Sequence, residues 1–409
     1  MTTRKKPQFL SRSNNHPTQI TEFKFLPPEI WTQILEKSPA KTLLKFRCVC
    51  KSWCSIIDQT EFIHTHPQIS QILNSGNDNR SLLSLELVEY HGNRCPGCLL
   101  TLRHPKTLQE TSSIFRKSDL YSYRIIGSCN GLILVNRIGG FYVYQKDLRL
   151  WNPCIRKSLV IPACPFHRSL LLDCVYLFGY APVNKDYKVI AIASEKGEGE
   201  ETRKMYVAIY TLSDQQWTIR NDELNIKLPN AIDMFLPFYC LSSAVFLKGV
   251  AYWLGNVDKQ RNELTHLGSF DFDKEEIVLL ELPSSWEERG SSKFLFLFGE
   301  SLAIFRITGV ASSIWVLDQD NKKEPWTRRF LGKSSQDGYK LFRCFVNEKV
   351  FFCESDGGYF ICGNKLYNIT SCEVREYEGF IYFKLQLEMY SESLVLSNVY
   401  GARDLRFFP

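Results

Sequence analysis

Past residue 66 the chain reads as a long succession of short strand-like runs with turn residues between them. Among them are GLILVNR at 131–137, YKVIAIA at 187–193, MYVAIYTL at 205–212, SAVFLKGVAYWLG at 243–255, EEIVLLEL at 275–282, LAIFRIT at 302–308 and KVFFCE at 349–354. No apolar period of helical spacing interrupts them for as much as about ten residues. The runs number roughly two dozen, far more than the seven to nine strands of a single sandwich. Radial repetition of small sheets accommodates such a series, and at four strands per sheet it predicts a β-propeller of about six blades.

Internal echoes point the same way. GGFYVYQKDLRLWNP at 139–153 resembles GGYFICGNKLYNIT at 357–370 with one residue deleted. A second echo joins YTLSDQQWTIR (210–220), SFDFDKEEIVLLEL (269–282) and WVLDQDNKKEPWTRRF (315–330). Each has an apolar strand, an Asp-bearing turn and a further strand, so the Asp side chains are expected to cap local N–H groups.

Composition excludes several classes. With 44% hydrophobic and 23% charged residues, the 409-residue chain is globular rather than disordered or fibrous. No stretch approaches the ~20 apolar residues of a membrane helix. The basic start is followed by no apolar run of a secretory signal. The 14 cysteines form no short framework, which predicts free thiols in a reducing compartment, the cytoplasm or nucleus. Fifty basic and 44 acidic residues leave a net charge of +6. Ten of the basic and four of the acidic residues lie within 1–60, so 61–409 carries forty of each sign. A nucleic-acid-binding body would show a basic excess.

The N-terminal part differs in kind. Residues 1–22 are polar and read as a disordered tail. LPPEIWTQILEKSPAKTLLKFRCVCKSWCSIID at 26–58 then has helical spacing. Pro28 suits a first helical turn and Glu29 complements its dipole. Ile30, Ile34 and Leu35 make one apolar face. Ser38 is expected to cap a second helix through Leu43, Leu44 and Phe46, and Val49, Trp53 and Ile56 continue at spacings of four and three. A cluster of about 40 residues cannot bury so many apolar faces internally, which implies a docking module. Two other readings are a helical cap packed on the following domain and a helix-turn-helix, the latter disfavoured because Cys48, Cys50, Trp53 and Cys54 leave few polar side chains to read bases.

This segment resembles an F-box. The Leu-Pro start, the Leu-Leu pair and the Arg-x-Val-x-Lys-x-Trp stretch fall at Leu26, Pro27, Ile30, Ile34, Leu35, Leu43, Leu44, Arg47, Val49, Lys51 and Trp53. The departure is Lys45-Phe46, where many members have small or acidic residues. The body is similar to the F-box-associated, kelch-like domain of plant F-box proteins, through SCNGLILV (128–135), WNPCIRKSLVIP (151–162), FGYAPVNKDYKVIAI (178–192) and GVAYWLG (249–255). A regular set of kelch repeats is not present. The resemblance implies an α+β multidomain chain, with a three-helix F-box at 23–66 and an all-β propeller-like recognition domain at 67–409. It implies the substrate-recognition subunit of an SCF-type ubiquitin ligase, not itself an enzyme and needing no cofactor. Leu26, Pro27, Pro28, Ile30, Ile34, Leu35, Leu43, Leu44, Val49, Lys51 and Trp53 would contact a Skp-type adaptor, and through it a cullin and a RING protein.

Two further features bear on chemistry. Cys95-Pro-Gly-Cys98, near His91 and His104, has the spacing of one zinc knuckle but also of a β-turn, and the turn is the expectation, with no metal. LPNAIDMFLPFYC at 228–240 gathers Ile232, Met234, Phe235, Phe238 and Tyr239 between prolines, a composition suited to a protein-binding loop or to core under a rim. The charged 194–205 segment suits a hairpin tip. No nucleophile elbow, P-loop or dinucleotide fingerprint is present. The alternatives are a non-proteolytic F-box scaffold and a propeller-fold enzyme with a helical cap.

Overall fold

The computed structural model describes residues 27–66, 81–88, 97–103, 110–117, 121–139, 145–166, 172–195, 205–220, 244–258, 263–283, 286, 292–298, 301–308, 311–318, 325–333, 339–346, 349–354, 365–368, 374–376 and 384–404. Three short helices, α1 (Pro28–Glu36), α2 (Ala40–Phe46) and α3 (Lys51–Ile57), are followed by α4 at 60–66. Twenty-five strands follow among the described residues.

The strands form six sheets. The first holds β1 (Ser81–Val88), β2 (Gly97–Arg103) and β3 (Glu110–Lys117), with the late strand β24 (Lys384–Tyr390) added beside β1. The second runs β4 (Tyr121–Cys129), β5 (Leu132–Gly139), β6 (Gln145–Asn152), β7 (Lys157–Val160) and then β25 (Arg403–Asp404). The third runs β8 (Leu172–Ala181), β9 (Asp186–Glu195), β10 (Met205–Thr211) and β11 (Gln216–Arg220). The fourth holds β12 (Val245–Leu247), β13 (Val250–Asp258), β14 (Glu263–Asp271) and β15 (Glu276–Glu281). The fifth holds β16 (Ser292–Phe298), β17 (Ser301–Ile307), β18 (Ala311–Leu317) and β19 (Trp326–Lys333). The sixth holds β20 (Tyr339–Val346), β21 (Lys349–Glu354), β22 (Lys365–Asn368) and β23 (Val374–Glu376). Contacts between sheets run from β24 to β4, β8, β12 with β13, β16, β20 and back to β24. The first sheet is therefore built from distant parts of the chain: Ser81 pairs with Tyr390 and Leu87 with Lys384.

The echoes in the sequence fall at equivalent places. The segments at 210–220, 269–282 and 315–330 are the β10–β11, β14–β15 and β18–β19 hairpins, the last two strands of their sheets. Likewise β6 and β22, inside the first echo, are both third strands, while the Gly-Gly pairs' partners at 140–144 and 355–364 lie outside the described residues. Turn capping takes two forms. Asp271 Oδ1 accepts the N–H groups of Asp273 and Lys274, as the Asp-turn reading expects, and Asn152 Oδ1 does the same for Cys154 and Ile155. At 212–215 the cap is borrowed: Asp186, from the neighbouring hairpin, accepts the Ser213 N–H and hydroxyl.

Two-residue turns demand left-handed backbone. Asn130 (φ 48°) and Gly131 (φ 79°) join β4 to β5, and Lys248 (φ 48°) and Gly249 (φ 84°) join β12 to β13. Both pairs fit the twist of a tight hairpin. The run 243–255, which reads as one strand in sequence, is thereby folded into two.

All neighbouring strands pair antiparallel, so their connections alternate between two opposite ends. One end carries the turns at 130–131, 153–156, 182–185, 212–215, 248–249 and 272–275. The helices and residues 391–400 pack on that end. Leu35, Ala40, Leu43, Ile57, Phe62 and Ile63 share one buried core with Cys129, Leu132, Leu150, Leu159, Tyr180 and Tyr187 of the sheets and Leu394, Val395 and Leu396 of the C-terminal segment. Part of the apolar surplus of the helical segment is thus buried against the body. The helices and the sheets make a single packed unit rather than two separate ones.

Gly131 is pressed by that C-terminal segment. A Cβ there would stand 2.4 Å from the Ser391 carbonyl oxygen and 2.7 Å from the Ser393 hydroxyl. Gly131→Ala should therefore combine a positive-φ penalty with displacement of 391–393, a loss of about 2 kcal/mol or more. Urea denaturation measures it, and a loss under about 0.5 kcal/mol would contradict the packing described.

Candidate functional site

The candidate site is the helical face left open after this packing. Pro27 precedes α1, and its carbonyl accepts the N–H groups of Ile30 and Trp31 at 3.0 and 3.3 Å. Pro28 occupies the first turn, where its missing N–H leaves nothing unpaired. Ile30 and Ile34 lie one turn apart on α1 and are 39% and 42% exposed. Val49, 62% exposed, lies in the turn between α2 and α3. The Trp53 ring of α3 meets Trp31 of α1 and Phe46 of α2, each at 5.1 Å between centroids. These three aromatics join the three helices.

An ion pair stiffens the turn. Arg47 Nε and Nη2 reach Asp58 Oδ1 and Oδ2 at 2.6 and 2.8 Å, a two-pronged geometry. Cys50 begins α3, its sulfur accepting the Trp53 N–H at 3.5 Å. The Cys54 thiol donates to Asp58 at 3.4 Å. Lys45 and Lys51 are exposed beside the apolar residues.

Several expectations need correction. Leu35 and Leu43 are fully buried in the core shared with the sheets, not exposed as an adaptor contact would be in the free chain. Ser38 does not cap α2: its hydroxyl donates back to the Ile34 carbonyl, and Pro39 occupies the cap position without a side-chain bond. α2 ends at Phe46, as its spacing implies, but Val49 lies in the turn before α3 rather than in one helix with Trp53 and Ile56. Leu44 and Trp53 are half-buried, while Pro27, Pro28, Ile30, Ile34, Val49 and Lys51 are exposed. Leu26 lies outside the described residues, as do Ile232, Met234, Phe235, Phe238, Tyr239 and Cys95. Cys98 sits in β2, opposite Leu87 of β1 and Lys117 of β3.

The seam between helices and body carries residues that local patterns do not single out. Lys185 pairs with Glu61 at 3.2 Å and Lys41 with Glu392 at 2.6 Å. Asn398 Nδ2 donates to the Asp58 carbonyl at 3.0 Å. His64 stands edge-on to Tyr180 and Tyr187, and His66 Nε2 lies 2.8 Å from the Ser38 carbonyl oxygen. Two stretches of the seam carry a signal in the sequence, 178–192, which holds Tyr180, Lys185 and Tyr187, and the Trp-Asn-Pro stretch. Its Asn152 donates to the carbonyl oxygens of Ser393 and Val395 at 3.0 and 2.7 Å, and to the Ser393 hydroxyl at 3.1 Å.

A short helical unit with exposed apolar side chains, packed on a large antiparallel β body, has the build of an interaction protein. Residues 23–65 match the F-box domain, and residues 100–400 match the F-box associated beta propeller domain. The chain belongs to the F-box-associated β-propeller family. It is 24% identical over 311 residues to an F-box/kelch-repeat protein of Arabidopsis thaliana, covering 74% of this chain and 78% of the relative. An F-box protein of the same plant is 23% identical over 325 residues, covering 75% of each. Solved structures align more distantly. Vibrio parahaemolyticus oligogalacturonate lyase aligns at TM-score 0.35 and 6% identity, covering 72% of this chain and 84% of its own. Porphyromonas gingivalis dipeptidyl peptidase 4 aligns at 0.36 and 8%, covering 76% and 55%. Likenesses this remote carry no catalytic activity to this chain.

Burial lowers the His64 and His66 imidazoles below their ordinary range, outweighing their contacts with backbone at Lys185 and Ser38. The fold holds both neutral, while the unfolded chain takes up protons below about pH 6.5. Their contribution is complete above that pH and is lost as pH falls through the lowered folded values. The urea midpoint should therefore be lower near pH 5.5 than near pH 7.5, and the gap should narrow in His64→Gln/His66→Gln. An unchanged gap in that double variant would contradict the assignment.

Proposed function

We propose that the chain is the substrate-recognition subunit of an SCF-type ubiquitin ligase. The F-box binds a Skp-type adaptor, which links it to a cullin and a RING protein, and the β body recruits a protein target. The observation that carries this reading is the open face of Ile30, Ile34 and Val49, left uncovered after the other apolar residues of the helices close on the body. The family membership supports it in kind. We further read the six sheets as six propeller blades, supported by the cyclic order of their contacts and by β24 entering the first sheet.

No covalent chemistry is assigned to this protein. Its contribution is to hold a target at high effective concentration, in a fixed orientation, beside the ubiquitin donor. Ile232, Met234, Phe235, Phe238 and Tyr239 are proposed as target contacts, on the composition of their segment alone. The place of action is proposed to be the cytoplasm or nucleus.

Burying one isoleucine contributes about 1.5–3 kcal/mol, so replacing two should weaken a micromolar complex beyond detection. Ile30→Asp/Ile34→Asp should abolish co-purification with a plant Skp-type adaptor while circular dichroism and melting temperature stay near wild type. Failure of the wild-type chain to bind, where another F-box protein binds, would overturn the reading.

A further inference from the structure

Residues 391–400 connect β24 to β25 by passing between the helices and the second sheet. Leu394, Val395 and Leu396 are 0%, 1% and 0% exposed and complete the core that holds Leu35, Leu43 and Ile57. The strap is tied to the body by Asn152, by Lys157 Nζ to the Ser397 carbonyl at 2.7 Å, and by Gln215 Nε2 to the Tyr400 carbonyl at 3.0 Å. On the other side it is tied to the helices by Glu392–Lys41 and by Asn398 to Asp58. Asp58 is also the partner of Arg47, so one bonded path runs from the strap to the turn that presents Val49. Leu396 adopts φ 76°, a left-handed backbone that leucine rarely takes and that persists only where its surroundings impose it.

We propose that this strap is a completion latch: the face of Ile30, Ile34 and Val49 reaches its docking geometry only when residues 391–400 have closed on the second sheet. The helices are made before any strand of the body, and the strap only after β1 to β24. A chain whose β body is unfinished or damaged would therefore bind the adaptor poorly, and competent receptors alone would enter the ligase. This rests on the reading of that face as the adaptor site, and it adds a condition on its use. No residue of the strap needs to touch the adaptor for the latch to work.

The test uses the full-length chain, with hydrogen–deuterium exchange of amides in 28–57 and 394–397 beside adaptor titration. In Asn152→Leu, which removes the carboxamide's bonds to the strap without altering any helical residue, protection in both segments should fall at least about tenfold, with a similar weakening of adaptor binding. In Ile34→Asp adaptor binding should be lost while both protections hold within about twofold. If Asn152→Leu frees 394–397 but leaves 28–57 and the adaptor affinity unchanged, the latch is overturned. Should that variant unfold altogether, denaturant-dependent exchange of the wild-type chain decides. Helices and strap opening together support the latch, and helices opening while the strap stays closed exclude it. A wild-type chain that never binds adaptor sinks the receptor reading itself, whatever the exchange shows.

Discussion

The structure depends on one shared core. Six apolar residues of the helices meet the ends of the second and third sheets, and a late segment of the chain fills the space between them. A helical cluster of this size has too little interior to be stable alone, because its surface is large relative to what it can bury. Resting on the sheets solves that problem and leaves only Ile30, Ile34 and Val49 as large apolar side chains exposed on the described helices. The docking face is what remains when stability has been satisfied.

Polar groups set the register of the parts that the core holds together. Asn152 uses its carboxamide in both directions, capping its own turn with oxygen and holding the strap with nitrogen. Between the third and fourth sheets, Lys188 is nearly buried and reaches both the Phe272 carbonyl and Glu275, which also pairs with Arg220. Burial pushes the Glu275 carboxylate up, but hydrogen bonds and charge from Lys188 and then Arg220 outweigh it and hold it below the usual range. Such a network is weak evidence for net stability, yet removing Glu275 would leave the buried Lys188 ammonium without its counter-charge, which is destabilising. Gly179 completes the same junction: a Cβ there would meet the Phe246 and Phe272 rings at 2.5 Å, so the sheets approach only because none is present.

Much of this was readable from local pattern. The runs of alternating apolar residues placed β5, β9, β10, β14, β15 and β17 because strand period and turn chemistry are short-range properties. The echoes marked the last two strands of three sheets because strand period is a local property. The run 243–255 misled because Lys248 gives no warning of a left-handed backbone, although Gly249 beside it does. The helical face was only half readable. Spacing shows that Leu35, Leu43, Ile30 and Ile34 are apolar on helices, but not which of them meets the body. That division depends on Tyr180, Tyr187 and Leu394–Leu396, more than a hundred residues away in the chain. The strap was invisible for the same reason, since Asn152 and Ser393 are 241 positions apart.

The central claim is that the helices and the β body form one cooperative unit through that core. Calorimetry of the full chain, with and without a saturating Skp-type adaptor, tests it most directly, because a ligand stabilises whatever unfolds together with its site. A single transition that includes the sheets and moves as a whole to higher temperature on adaptor binding is the predicted result. A sheet transition that stays where it was, while a smaller helical one shifts alone, would contradict the account.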